Sequence, residues 1–296
     1  MYRHFVLDFD GVFSNSRNEV DDRVIKVLVA YAENGDKVDI ATGAGMDRLY
    51  KAALPQLIEY TKHNKGVRDA FTLSAENGME VMRFQNGRPK PIEVQSGGLP
   101  SNIKKRLKRK FEELHCSLLE DYGKKYMFTV HARAHGVGME GSEVDAELKQ
   151  VYAILEPLAR QIPGATIRRT RWAVDVSAEG TEKDMVSTRI LREEGQRRKN
   201  SPIKSKRVFI VMGDSTSDLL LAKPFFKVKA PFTFYFTGVP NNQFKKDVIR
   251  VFGCYPRGVF IAPQRFTRGT LKVLGHEPKR VGRPVLHRIG SATKRR

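Results

Sequence analysis

Six residues have the types and spacing to act together on one anionic group: Asp8, Asp10, Thr42, Lys183, Asp214 and Asp218. Asp8 and Asp10 stand two apart in Phe5-Val6-Leu7-Asp8-Phe9-Asp10-Gly11-Val12, so strand alternation points both carboxylates to one face. Thr42-Gly43 follows the apolar run Val38-Asp39-Ile40-Ala41, and Gly213-Asp214-Ser215-Thr216-Ser217-Asp218 follows Val208-Phe209-Ile210-Val211-Met212. Carboxylates are hard oxygen donors that suit Mg²⁺. A lysine amine and a threonine hydroxyl can hold phosphoryl oxygens. A phosphate monoester repels a carboxylate nucleophile, by roughly 4 kcal/mol for two unit charges about 4 Å apart at an effective dielectric near 20. A divalent cation and Lys183 can offset that repulsion. Asp8, Asp214 and the backbone carbonyl of Asp10 can supply metal ligands, with Asp218 binding directly or through water. Singly, each element has a plainer reading: a turn, a helix cap, a solvated lysine. Their shared place after apolar strands or a hinge favours one common rim.

The elements that must position them alternate between strand and helix. Residues 4–10 predict a buried strand, 20–33 an amphipathic helix ended by Asn34-Gly35, 38–41 a second strand, and 46–60 a helix interrupted near Pro55. Residues 70–74 predict a third strand. This is the pattern of a doubly wound, Rossmann-like parallel sheet in an α/β protein, whose ligands bind at the carboxyl ends of strands. From residue 81 the pattern changes: a hairpin over 81–88, a helix over 101–119, a strand over 126–133, a helix over 142–160 and a hairpin over 166–176. These read as an inserted α+β cap domain. Alternation then resumes with a helix over 183–194, a strand over 207–212, a helix from 219, and strands at 228–230 and 258–262. The expected division is a core of residues 1–80 and 178–275, a cap of 81–177 and a basic, flexible tail of 276–296.

Taken together, these motifs resemble the phosphatases of the haloacid dehalogenase superfamily over residues 1–262. The resemblance implies that Asp8 is a nucleophile that becomes an aspartyl phosphate. It implies that Asp10 is the general acid and base. Thr42, Gly43, Lys183 and the amide near Phe9 would hold the phosphoryl group, with Mg²⁺ as cofactor. The cap's place between Thr42 and Lys183 is similar to that of sugar-phosphate phosphatases, and most of all trehalose-6-phosphate phosphatase. Glu120, the turn at Lys124-Lys125, Thr129-Val130-His131-Ala132-Arg133 and Trp172-Ala173-Val174-Asp175-Val176 carry that likeness. It implies trehalose 6-phosphate as substrate, a role in trehalose biosynthesis, and Glu120, His131 and Arg133 as sugar contacts. The chain departs from the trehalose-phosphatase pattern at Ser215, Ser217 and Ala132, and lacks a glycine after Lys183. His131 and Arg133 share a face that could instead be solvated, and Glu120 with Lys124 could be a surface pair.

The chain has 296 residues and a net charge of +20. Its basic runs are Lys104–Lys110, residues 197–207 and the tail. They leave open a basic RNA-associated protein on a phosphatase-like scaffold, or a weak nucleic-acid contact through the tail. Another phosphate ester, such as sucrose phosphate, a mannosyl phosphate or a nucleotide, also remains open. Two cysteines, Cys116 and Cys254, argue against a disulfide framework and for buried or incidental thiols in a reducing cytoplasm. No apolar stretch is long enough to span a membrane, and the N-terminus does not read as a signal peptide.

Overall fold

The apolar run at the N-terminus forms strand β1 (Tyr2–Asp8), whose last five residues are buried. The computed structural model describes residues 2–15, 19–92, 98–113, 119–120, 124–132, 142–170, 173–200, 207–240, 242–262 and 264–276. After β1 come α1 (Asp22–Glu33), β2 (Lys37–Ala41), α2 (Met46–Ala52), α3 (Leu54–Tyr60), α4 (Lys65–Arg68), β3 (Phe71–Ala75), β4 (Glu80–Gln85) and β5 (Arg88–Ile92). Then follow α5 (Ser101–Glu113), β6 (Leu119–Glu120), β7 (Phe128–His131), α6 (Ser142–Arg160), β8 (Ala165–Arg169) and β9 (Ala173–Ala178). The described chain closes with α7 (Asp184–Asn200), β10 (Arg207–Gly213), α8 (Leu219–Lys227), β11 (Phe232–Phe236), α9 (Asn242–Phe252), β12 (Val259–Ile261) and α10 (Phe266–His276).

The larger sheet runs in the order β12-β11-β10-β1-β2-β3-β4-β5. β12 through β3 are parallel, and β4 and β5 are antiparallel additions. Phe5, Leu7, Val38 and Ile40 pack on one face with α1, α2, α3 and α10. Val6, Ala41, Phe209 and Val211 pack on the other with α7, α8 and α9. Burial on both faces explains why these strands read as continuous apolar runs. From β1 the sheet grows one way through β2 and β3, and the other way through β10, β11 and β12. The crevice beyond β1 and β10 is therefore the switch point where such sheets bind ligands.

The smaller sheet is antiparallel, β6-β7-β9-β8. Phe128, Val130, Val174 and Val176 bury one face under α5 and α6. By alternation Thr129, His131, Asp175 and Ser177 occupy the other.

Several expectations change. The hairpin of β4 and β5, counted with the insert from residue 81, pairs with β3 and extends the large sheet. Asn86 and Gly87, both at positive φ, make its two-residue turn. β5 is an edge strand and carries Pro89 and Pro91. The 46–60 helix splits into α2 and α3, with Pro55 in the first turn of α3. Leu119 begins a strand rather than ending a helix. The strand expected at 228–230 lies at Phe232–Phe236 instead, because Val228 caps α8 and Lys229 takes a positive φ. Helices α9 and α10 add to the expected elements. On α5, Lys104 donates to the Lys124 carbonyl, while Lys108, Arg109 and Lys110 pair with Glu112 or Glu113. Residues 277–296 of the tail lie outside the described residues, as does Cys116, and Cys254 is exposed rather than buried. No helix among the described residues is long and apolar enough to cross a membrane.

A buried polar network fastens α7 to the sheet. Arg189 on α7 lies 2.5 Å from Asp39 on β2, and Asp39 lies 2.6 Å from His4 Nε2 on β1. Burial would raise the Asp39 carboxyl, but Arg189 and His4 outweigh it and hold it well below the usual range. Burial lowers His4 more than Asp39 raises it, so the folded imidazole stays neutral. Both shifts are depressions, so both contribute stability that is lost on acidification. For His4 the loss begins as pH falls through about 6.5, where the unfolded chain takes up a proton first. His4→Gln is expected to flatten the fall in unfolding free energy between pH 7 and 5, measured by urea titration. An unchanged slope would clear His4 of that role.

Candidate active site

Asp8 ends β1 and is buried, and it pairs with Ala41, the last residue of β2. Thr42 therefore begins the neighbouring loop at the same end of the sheet. Its buried hydroxyl accepts from the Ala44 amide at 3.1 Å, which shapes the turn through Gly43. Asp214 follows β10, the other neighbour of β1. Lys183 immediately precedes α7, the helix that Arg189 fixes in place.

The Lys183 amine lies 2.7 Å from Asp8 Oδ1 and 2.5 Å from Asp218 Oδ1. Burial alone would lower its pKa, but the Asp218 and Asp8 carboxylates win and raise it, so it stays charged. Burial pushes the Asp8 carboxyl well up, helped by the Asp218 carboxylate, and Lys183 only partly opposes this. Asp218 is fully buried. Its Oδ2 accepts from the Asp214 amide, the Ser215 amide and the Ser215 hydroxyl at 3.0, 2.9 and 2.8 Å. Asp218 thus shapes the loop that carries Asp214.

Carboxylate oxygens of Asp8, Asp214 and Asp218 lie within 4.8 Å of one another. Oxygen-only donors at that spacing fit a hard divalent cation such as Mg²⁺. The backbone makes room for them. Gly11, at φ +70°, faces Asp214, and a Cβ there would lie 2.2 Å from Asp214 Oδ2. A Cβ on Gly213 would lie 2.1 Å from the Asp218 Cβ. These glycines are a steric requirement of the carboxylate cradle.

Asp10 stands at the rim, its side chain 44% exposed. Arg48, in the first turn of α2, reaches its carboxylate, with Nη2 2.5 Å from Oδ1 and Nη1 3.3 Å from Oδ2. Nothing in the sequence flagged Arg48, because the contact spans 38 residues and needs the β1–β2 pairing to exist.

The expected sugar contacts fare unevenly. His131 lies half-buried on the polar face of the small sheet. Glu120 sits in β6 opposite Val130, and Arg133 lies outside the described residues. Lys124 is buried rather than a surface partner of Glu120, with its amine 2.6 Å from the Thr129 hydroxyl and 3.1 Å from Asp175. Sequence reading missed a joint at Glu76. Its buried carboxylate accepts the amides of Lys125, Tyr126 and Met127 at 2.5, 2.7 and 2.9 Å. The next amide, of Asn77, donates to the Thr42 carbonyl. On the far side Arg168 of β8 pairs with Glu182, the neighbour of Lys183. The small sheet is thus tied to both segments that flank the buried charges.

The sequence matches no protein-family model and no curated protein. Among solved structures, a haloacid dehalogenase-like hydrolase from Bacteroides thetaiotaomicron is similar, with a TM-score of 0.61 and 15% identity over 93% of this chain and 99% of that one. The trehalose-6-phosphate phosphatase of Aspergillus fumigatus is similar at TM-score 0.53 and 15% identity, over 93% of this chain and 92% of that one. A sugar phosphatase of haloacid dehalogenase subclass IIB is similar at TM-score 0.54 and 16% identity, over 93% and 98%. This structural similarity over 93% of the chain shows the fold: the chain has the haloacid dehalogenase-like fold.

Proposed function

We propose that the chain is a Mg²⁺-dependent phosphatase of sugar phosphates, with trehalose 6-phosphate the first substrate to test. The observation that carries this is the buried Lys183 amine between the Asp8 and Asp218 carboxylates at the switch point. Such a charge set is costly to bury and has the composition that phosphoryl transfer uses. Asp8, Asp214 and the Asp10 carbonyl would hold the cation, with Asp218 binding it directly or through water. It supplies positive charge against the anionic ester. The small sheet, residues 98–178, would form the cap, with His131 and Arg133 as candidate sugar contacts. Two of the similar structures are themselves phosphatases of sugar phosphates, which supports the substrate class.

Asp8 attacks phosphorus, and the bond to the ester oxygen breaks as the new Asp8–phosphorus bond forms. The bonding pair leaves with the ester oxygen, which takes a proton from Asp10. Water then attacks phosphorus while Asp10 accepts its proton. The Asp8–phosphorus bond breaks and inorganic phosphate departs. Lys183 and the Thr42 hydroxyl hold the phosphoryl oxygens, while the amides near Phe9 and Gly43 complete the cradle.

The test is phosphate release after chelation and after Mg²⁺ addition, across trehalose 6-phosphate, sucrose phosphate, mannose phosphates and a nucleotide. Release that needs Mg²⁺ and favours a sugar ester is the expected result. Release indifferent to Mg²⁺ would remove the metal from the reading, and equal rates on every ester would remove the sugar.

A further inference from the structure

The Arg48–Asp10 contact has the form of a fixed device rather than a surface pair. Arg48 is held at several points. Its amide donates to the Gly45 carbonyl at 3.2 Å, and its neighbours Met46 and Leu49 are buried, so α2 cannot drift from the sheet. Its guanidinium carbon lies 5.4 Å from the ring centroid of Phe9, the fully buried residue between Asp8 and Asp10. The planar guanidinium then meets both oxygens of Asp10, a fork that fixes the carboxylate plane as well as its position.

Asp10 needs such a partner. It lies beyond the end of β1, half-exposed, where an aspartate side chain is free to change rotamer. Proton transfer to a departing oxygen demands a narrow geometry, and a displacement of about 1 Å can cost about a hundredfold in rate. We infer that Arg48 is a positioning residue for proton transfer at Asp10, holding its carboxylate toward the ester oxygen. This rests on the proposed roles of Asp8 and Asp10. Because α2 follows directly on the Thr42-Gly43 loop, one short segment sets both the phosphoryl cradle and the proton donor.

Leaving-group chemistry separates this role from a structural one. p-Nitrophenyl phosphate expels a stable anion and needs little help from an acid, whereas phenyl phosphate expels a more basic oxygen and needs more. kcat/KM on both esters is to be measured for the wild type, Arg48→Met, Arg48→Lys, Asp10→Asn and Asp8→Asn. Arg48→Met is expected to lose about tenfold more on phenyl phosphate than on p-nitrophenyl phosphate, a fraction of the roughly 10²–10⁴-fold that a general acid contributes as a whole. Arg48→Lys, which can meet one oxygen, should recover part of that difference. Asp10→Asn should show the same bias more strongly, and Asp8→Asn should abolish both activities. An equal loss on the two esters, or no loss, for Arg48→Met overturns the inference, since binding or folding defects do not sort esters by leaving group. If Asp10→Asn keeps its bias while Arg48→Met has none, only the Arg48 assignment falls. If Asp10→Asn has no bias, the acid role of Asp10 falls first.

Discussion

Asp8→Asn is expected to cut phosphate release by a factor on the order of 10⁴ or more, as removal of a covalent nucleophile does elsewhere. It should do so without lowering the melting temperature of the metal-free protein. The second half of the expectation is the more telling. Burial and the Asp218 carboxylate push the Asp8 carboxyl well up, with Lys183 only partly opposing them. In the metal-free fold at neutral pH, the ionised carboxylate is therefore a strained group. Asparagine keeps its volume and can still accept from Lys183, but sheds the charge. An unaffected or raised melting temperature beside lost turnover is the signature of a group kept for chemistry at the expense of stability. Phosphate release within about tenfold of wild type would show that Asp8 is not the nucleophile.

Lys183→Met acts on the same cluster from the other side. It leaves the Asp8 and Asp218 carboxylates facing one another without the amine that now touches both. Breaking a buried pair by removing one partner costs about 3–5 kcal/mol. Two carboxylates lose their counter-charge here, so the upper part of that range is expected, together with loss of phosphate release. Adding Asp8→Asn to Lys183→Met should return part of the stability, because one of the stranded charges disappears. Chemical denaturation of the two single variants and the double variant measures this coupling. Additivity within about 0.5 kcal/mol would mean the three groups do not act as a unit.

The parts of the molecule legible in the sequence share a physical cause. Strands buried on both faces leave continuous apolar runs. The turn residues at their carboxyl ends stand out against those runs, so β1, β2, β3 and β10 and the polar groups after them could be read directly. The candidate residues Asp8, Thr42, Asp214 and Asp218 stand out for that reason, whereas Lys183, just before α7, stands out only in their company. What could not be read depends on pairing across long separations. Arg48 meets Asp10 only after β1 and β2 align, and Glu76 meets the amides of residues 125–127 across 49 to 51 positions. The hairpin over β4 and β5 was visible as a hairpin, but periodicity does not say which sheet a hairpin joins. β11 was misplaced because the apolar residues around it begin within the preceding helix, and only the positive φ at Lys229 separates the two.

The outer strand β5, with the sequence Arg-Pro-Lys-Pro-Ile, bears on how molecules of this protein meet one another. A sheet that ends in free amides offers a template on which a second chain can crystallise strand by strand. At Pro89 and Pro91 that template has no hydrogen to give, and Arg88 and Lys90 bring positive charge to any copy already bearing +20. This border of the sheet is therefore chemically closed to growth. A second copy approaching along β5 would find neither amides to pair with nor a neutral surface to lie against.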